Sequence, residues 1–133
     1  MNLHEDFKNN RYWNLIGIRM KELNPGHVRL TMEVKDELIQ LAGVLHGGAT
    51  ASLMDSAMGV SVWSLNMPDV KGLTVEMKIN YLLPVLPGDE LEAEAKVIHN
   101  GNTLAVSSAE VRNREGKLVS YGTATFILIK NGA

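Results

Sequence analysis

The chain has 133 residues, close to the commonest size of a single domain, and its 45% hydrophobic residues can bury a sizeable core. Its 13 basic and 15 acidic side chains are dispersed and sum to -2, which excludes a basic stripe for nucleic acid and a polybasic run for an anionic membrane. No cysteine is present, so disulfide frameworks, cysteine metal sites and thiol nucleophiles are excluded together; this usage fits a reducing, cytoplasmic location.

The opening MNLHEDFKNN is too polar for a secretory signal, and the whole chain reads as one domain over residues 1–133. Residues 3 to 15, with Leu3, Phe7, Trp13 and Leu15 among charges, predict a short helix leading into the fold. LIGIRMKEL, the punctuation Asn24-Pro25-Gly26 and HVRLTMEV predict a hairpin, since Val28, Leu30, Met32 and Val34 alternate with Arg29, Thr31 and Glu33. DELIQLAGVL then leads into a proline-free stretch that predicts a helix of some twenty residues, stopped at Asn66-Met67-Pro68. Ala49, Leu53, Ala57 and Val60 keep helical spacing, and Leu45, Met54, Met58, Val62 and Leu65 widen the stripe almost all round, the pattern of an enclosed helix. The segment is long enough for a membrane span, but Gly43, Gly47, Gly48, Gly59, four serines and Asp55 favour burial inside a soluble protein.

After Pro68 the period becomes two. Leu73, Val75, Met77, Ile79 and Tyr81 alternate with Thr74, Glu76, Lys78 and Asn80, predicting a strand with one covered face. Pro84 and Pro87-Gly88 turn the chain, and Leu91, Ala93, Ala95 and Val97 mark the next strand. Asn100-Gly101, TLAVSSAEV, the turn from Asn113 to Gly116 and KLVSYGTATFILI supply the last two. Short connections predict antiparallel pairing of consecutive strands, with the sheet curled round the helix in an α+β domain.

Asp55 is the outstanding residue. From Leu38 to Pro68 no other Asp, Glu, Lys or Arg occurs, so no nearby cation in sequence neutralises it. A mid-helix carboxylate cannot cap, because the orphan amides lie in the first turn. It is either a structural group bonded to a neighbour or a reactive one, and burial there would favour its neutral form and suit it as nucleophile or general base. His46-Gly47-Gly48 falls where the helix begins. Glycine lets backbone approach a ligand closely, and first-turn amides at the positive end of the helix dipole could hold a developing oxyanion. A plain glycine-rich turn is the alternative. Gly47 and Asp55 would stand about 12 Å apart along one helix, too far to serve one carbonyl carbon, so if both act one must come from a second copy of the chain. His4, His27 and His99 lack ligand spacing and no HExxH, GxSxG, GxGxxG or P-loop pattern occurs, which removes metal, serine-triad and nucleotide-phosphate readings.

GVLHGGATASLMDSA, followed by GLTVEMKINYLLPVLPGD, HNGNTLAVSSAEV and GKLVSYGTATF, resembles the hotdog-fold acyl-CoA thioesterases over roughly residues 12 to 129, in particular the phenylacetate-pathway and mammalian thioesterase superfamily member group. The resemblance implies a curved six-stranded antiparallel sheet wrapped around one long central helix. It implies hydrolysis of a small aryl- or fatty-acyl-CoA to free acid and CoA, with coenzyme A present only as part of substrate and product and no bound cofactor or metal. It implies homodimers with shared active sites that pair again into homotetramers. Residue by residue, Asp55 takes the place of the catalytic carboxylate and Gly47 that of the amide that polarises the thioester carbonyl. His46 supports that loop, Gln40 lies near the carbonyl or the attacking water, and Thr74 orients the water. Gly48, Tyr81, Asn102 and Thr103 fall in stretches that contact substrate or the coenzyme A tail. Met54, Met58 and Trp63 are either core or acyl-pocket lining. An acyl-thioester dehydratase on the same fold and a non-catalytic acyl-thioester binding module stay open as alternatives.

Overall fold

The computed structural model describes residues 3–130. Two short helices, α1 (Leu3–Lys8) and α2 (Arg11–Ile16), stand where one was expected. The break has a local cause: Asn10 is extended and its side chain accepts the Trp13 N–H at 3.1 Å, capping a new helix. Leu15 and Ile16 therefore belong to α2, and β1 (Ile18–Asn24) starts later than its sequence pattern suggested. Pro25 and Gly26, the latter at φ 72°, turn the chain into β2 (His27–Glu33). A 3₁₀ turn at Asp36–Leu38 precedes α3 (Gly47–Asn66), the predicted 20-residue helix, and β3 (Val70–Tyr81), β4 (Glu90–Asn100), β5 (Leu104–Arg112) and β6 (Leu118–Lys130) complete the chain.

All six strands form one antiparallel sheet wrapped around α3, in the order β1-β2-β4-β5-β6-β3. Chain-order pairing fails at one place. β3 pairs with β6, from Val70↔Lys130 to Tyr81↔Ser120, while β4 joins β2. The connection after β3 is a proline-bearing crossing, not a tight turn: the Leu45 N–H donates to the Val85 carbonyl (2.8 Å) and the Val85 side chain enters the core. Passing over the start of the helix, it delivers β4 to the far side of the sheet.

A second correction concerns the covered face of β3. The register slips between Thr74 and Glu76, leaving Val75 as the extra residue of a bulge. Met77 and Ile79 consequently pack against the core, whereas Leu73 and Val75 are 52% and 54% exposed on the outer face. Thr74, opposite buried Phe126, points inward.

Leu53, Met54, Met58 and Val62 of α3 interlock with Leu30, Met32, Leu91 and Phe126 of the sheet, all essentially buried. Each such side chain contributes about 1.5–3 kcal/mol on leaving water. Met54 and Met58 are therefore core. Ala57 on the helix and Ala93, Ala95 and Ala109 on the strands are small enough to let the layers close. The rest of α3 is not enclosed by sheet. Ser52, Asp55, Ser56, Gly59 and Trp63 form a part-buried stripe at helical spacing, and α1 and α2 lie over it. No helix among the described residues is long and apolar enough to cross a membrane.

Candidate active site

Two chemically different stations lie along α3. The first is its opening turn. His46 is the N-cap, extended at φ -62° and ψ 133°, and its Nδ1 accepts the Gly48 N–H at 2.8 Å. The Gly47 N–H has no acceptor among the described residues, although it stands at the positive end of a 20-residue helix. Tyr81, at the end of β3, braces this turn: its hydroxyl donates to the Gly47 carbonyl at 2.8 Å. Burial pushes the Tyr81 hydroxyl above the ordinary phenol range, which keeps it a proton donor. Neither glycine tolerates a side chain without movement. A Cβ on Gly47 would stand 3.3 Å from the Tyr81 ring, and one on Gly48 would stand 2.9 Å from His46 Nδ1. The turn thus offers one free backbone donor with its neighbours tied, beside a cavity of about 320 Å³ bordered by Gln40, Val44, Gly47, Thr50, Tyr81 and Leu83.

The second station is Asp55, two turns further on. It is half-buried on the stripe beneath α1 and α2, not enclosed in the core, and the Thr74 hydroxyl donates to its Oδ1 at 2.7 Å. The bulge at Val75 leaves Thr74 inward-facing while the rest of β3 continues along the core. Oδ2 has no partner among the described residues. The carboxylate borders a cavity of about 190 Å³ whose other walls include Phe7, Trp13, Ser56, Trp63 and Phe126. No cation among the described residues pairs with it: their ion pairs lie elsewhere, mainly among Lys21, Glu22, His27, Arg29, Glu92 and Glu94 on β1, β2 and β4. In that cluster the His27 hydrogen bond (2.7 Å) holds the Glu94 carboxyl below the usual carboxylate range, with burial opposing and Arg29 assisting.

Other expected site residues divide between these stations. Gln40 borders the cavity at the Gly47 turn, its Oε1 accepting the Ala42 N–H at 3.0 Å, and is not beside Asp55. Thr74 joins Asp55. The Gly48 amide is occupied by His46, so this residue serves the turn by lacking a side chain. Asn102 and Thr103 are exposed in the β4–β5 turn, next to the C-terminal end of α3, where Asn66 Nδ2 donates to Asn100 Oδ1 at 2.9 Å. Within one chain they lie with neither station. Among the described residues no group of His, Asp and Glu side chains is gathered as a metal would require.

The model of the thioesterase superfamily matches residues 42–120, from just before the His46 turn through Asp55 and Thr74 into β6. The chain belongs to the thioesterase superfamily. It is similar to acyl-coenzyme A thioesterase 13 of Homo sapiens, 36% identical over 104 residues that cover 76% of this chain and 72% of that protein. Among solved structures it is similar to the PaaI protein of the Escherichia coli phenylacetic acid degradation operon (26% identity, TM-score 0.89, 96% and 91% of the two chains) and to a Streptococcus mutans protein bound to acetyl CoA (29%, 0.80, 85% and 89%). It is thus a hotdog-fold thioesterase of the PaaI type and a thioester hydrolase by class.

Sequence reasoning missed the roof of this thioesterase's carboxylate station. Trp13 Nε1 donates to Ser56 Oγ at 3.1 Å, the Tyr12 and Ser52 hydroxyls share a hydrogen bond, and Phe7 meets Trp63 edge-on at 5.9 Å. The apolar residues of 3–15 were the available signal, but nothing local to them says which face of α3 they cover. Trp63 is the one acyl-pocket candidate that borders the Asp55 cavity, its Nε1 donating to the Gly72 carbonyl at 2.8 Å.

Proposed function

We propose that the chain is an acyl-CoA thioesterase whose two stations are brought together from two subunits. The thioester carbonyl oxygen sits against the Gly47 N–H of one subunit, where the donor and the helix dipole stabilise the charge that develops as the carbonyl is attacked. Asp55 of the other subunit either attacks the carbonyl carbon through Oδ2 or removes a proton from a water that does so. Thr74 fixes Oδ1 and leaves Oδ2 to the substrate. An oxygen–carbon bond forms, the carbon–sulfur bond breaks, and sulfur departs as the coenzyme A thiol after taking a proton. If Asp55 attacks first, water then cleaves the mixed anhydride and restores the carboxylate. Gln40, beside the Gly47 turn, is placed to bond the carbonyl or the water from the first subunit's side. His46 holds the turn, and Gly48, Tyr81, Asn102 and Thr103 contribute to substrate and coenzyme A contacts. Water is the second substrate, and no bound metal or cofactor takes part.

The observation that carries this reading is the pairing on one helix of a free first-turn amide and a threonine-oriented carboxylate, eight residues apart, on separate cavities. That spacing of about 12 Å is too great for a single chain to complete the site. Two surfaces support self-association: β3 is a 12-residue strand at the sheet edge, and Leu73, Val75, Leu104, Ile127 and Ile129 form an exposed apolar outer face. The proposal is a homodimer that pairs again into a homotetramer, formed by one domain over residues 1–133 and located in the cytoplasm. Thiol release, read with a disulfide-exchange dye across aryl- and fatty-acyl-CoAs, tests it. Turnover by the wild type that collapses in Asp55→Ala, with assembly unchanged by light scattering, is the expected result. Equal turnover by both proteins, or binding of acyl-CoA with no turnover, overturns it.

A further inference from the structure

The cavity at Asp55 ends against a second, larger one. The first has a volume of about 190 Å³; the second, of about 370 Å³, lies under the N-terminal helices against β1, with Lys8, Ile18 and Met20 in its walls. Only Phe7 and Trp13 border both. Their rings stack at 4.9 Å with 20° between planes, and Phe7 also meets Trp63 edge-on. Trp13 and Trp63 are pinned by indole hydrogen bonds to Ser56 and to the Gly72 carbonyl, and Trp13 is 4% exposed. Phe7 has no polar side-chain anchor, is only part-buried, and packs against the core and the two indole rings.

This inference rests on the hydrolase reading: the acyl chain begins at the carbon on which Asp55 acts, so the cavity starting at Asp55 receives it. We infer that Phe7 is a specificity-determining residue, a partition whose ring closes the acyl cavity and restricts the enzyme to compact acyl groups. A space of about 190 Å³ is below the roughly 300–1,000 Å³ of common ligand pockets, and away from Asp55, Ser56 and Thr74 its walls are aromatic and apolar. Such a space takes a short or ring-shaped acyl group and rejects an extended aliphatic one. Without the Phe7 ring, the two cavities join and an extended chain can pass into the space against β1.

The test is kcat/KM for thiol release from butyryl-, octanoyl-, lauroyl- and palmitoyl-CoA and from benzoyl-CoA, with the wild type, Phe7→Ala, Phe7→Leu and Phe7→Trp, each checked for folding by thermal unfolding. The wild type is expected to prefer the short and ring-shaped substrates. In Phe7→Ala the lauroyl-to-butyryl ratio should rise about 10-fold or more, the scale on which apolar pockets discriminate by size. Phe7→Leu should fall between, and Phe7→Trp should shift the ratio the other way, so the inference stays testable if the alanine variant does not fold. An unchanged length profile in every folded variant, or a wild type that already prefers palmitoyl-CoA, overturns the partition and leaves the hydrolase reading standing. No thiol release by the wild type from any substrate overturns the hydrolase reading itself.

Discussion

The opening turn of α3 and its middle are built from opposite chemistry by opposite means. At the turn the candidate group is a backbone N–H, free because a first-turn amide has no acceptor within the helix, while His46 occupies the next amide and Tyr81 holds the carbonyl. Two turns later the candidate group is a side-chain carboxylate, placed between sheet and N-terminal helices and oriented by a hydroxyl from β3. Local sequence makes the turn, since an N-cap histidine and two glycines suffice. The carboxylate station is assembled from five elements, α1, α2, α3, β3 and β6, spread along the whole chain. One helix can therefore carry a donor and an acceptor that never meet in one chain; in the proposed dimer they come from different subunits.

Removing the acceptor should have the largest effect. Asp55→Ala should lower kcat/KM by about 10²–10⁴, the range of a positioned general base, while thermal unfolding moves little because the residue is half-buried and bonded only to Thr74. The split between subunits can be broken deliberately. Gly47→Val, whose side chain runs into the Tyr81 ring, and Asp55→Ala should each be inactive alone. Denaturing and refolding them together should restore roughly a quarter of wild-type activity, because half the dimers are mixed and each has one intact site. No recovery, with mixed dimers present by native mass spectrometry, would put both groups in one chain's site.

A smaller effect sharpens the second station. Thr74→Val keeps shape but removes the donor to Oδ1, and kcat should fall about 10- to 100-fold with KM nearly unchanged, as expected for a lost bond to a charged group. The smallest effect is a control away from both stations. Glu94→Gln should leave kcat/KM alone and cost only about 0.5–1 kcal/mol at neutral pH, as for a part-exposed ion pair. The folded carboxyl titrates below its unfolded value of about 4.3, so its contribution is present above that pH and is lost as pH falls through the lower folded value. The stability difference between wild type and Glu94→Gln in urea should therefore close as pH is taken below about 4.

Much of the fold was legible because its signals are local. The change from helical to two-residue period at Pro68, the stop at Asn66 and the turn residues Pro25-Gly26 and Asn100-Gly101 each declare an element within a few side chains. Pairing order was not legible. Nothing near Tyr81 states that the crossing through Val85 carries β4 to β2, since that depends on where the helix lies. The bulge at Val75 was equally hidden: the apolar alternation from Leu73 to Tyr81 is unbroken, and only pairing with β6 reveals that two of its members face outward.

At the site, sequence alone singled out Asp55, because a charge without sequence neighbours of opposite sign in an apolar helix is conspicuous at any fold. It likewise determined the His46-Gly47-Gly48 turn and, through the rise of a helix, the separation of the two stations. The tertiary structure decided that Asp55 is half-buried and reached by Thr74, that Tyr81 braces the donor turn, and that Phe7, Trp13 and Trp63 roof the carboxylate. The physical reason is range: periodicity and capping act within a few residues along the chain, while a cavity wall is a contact between segments that only packing brings together.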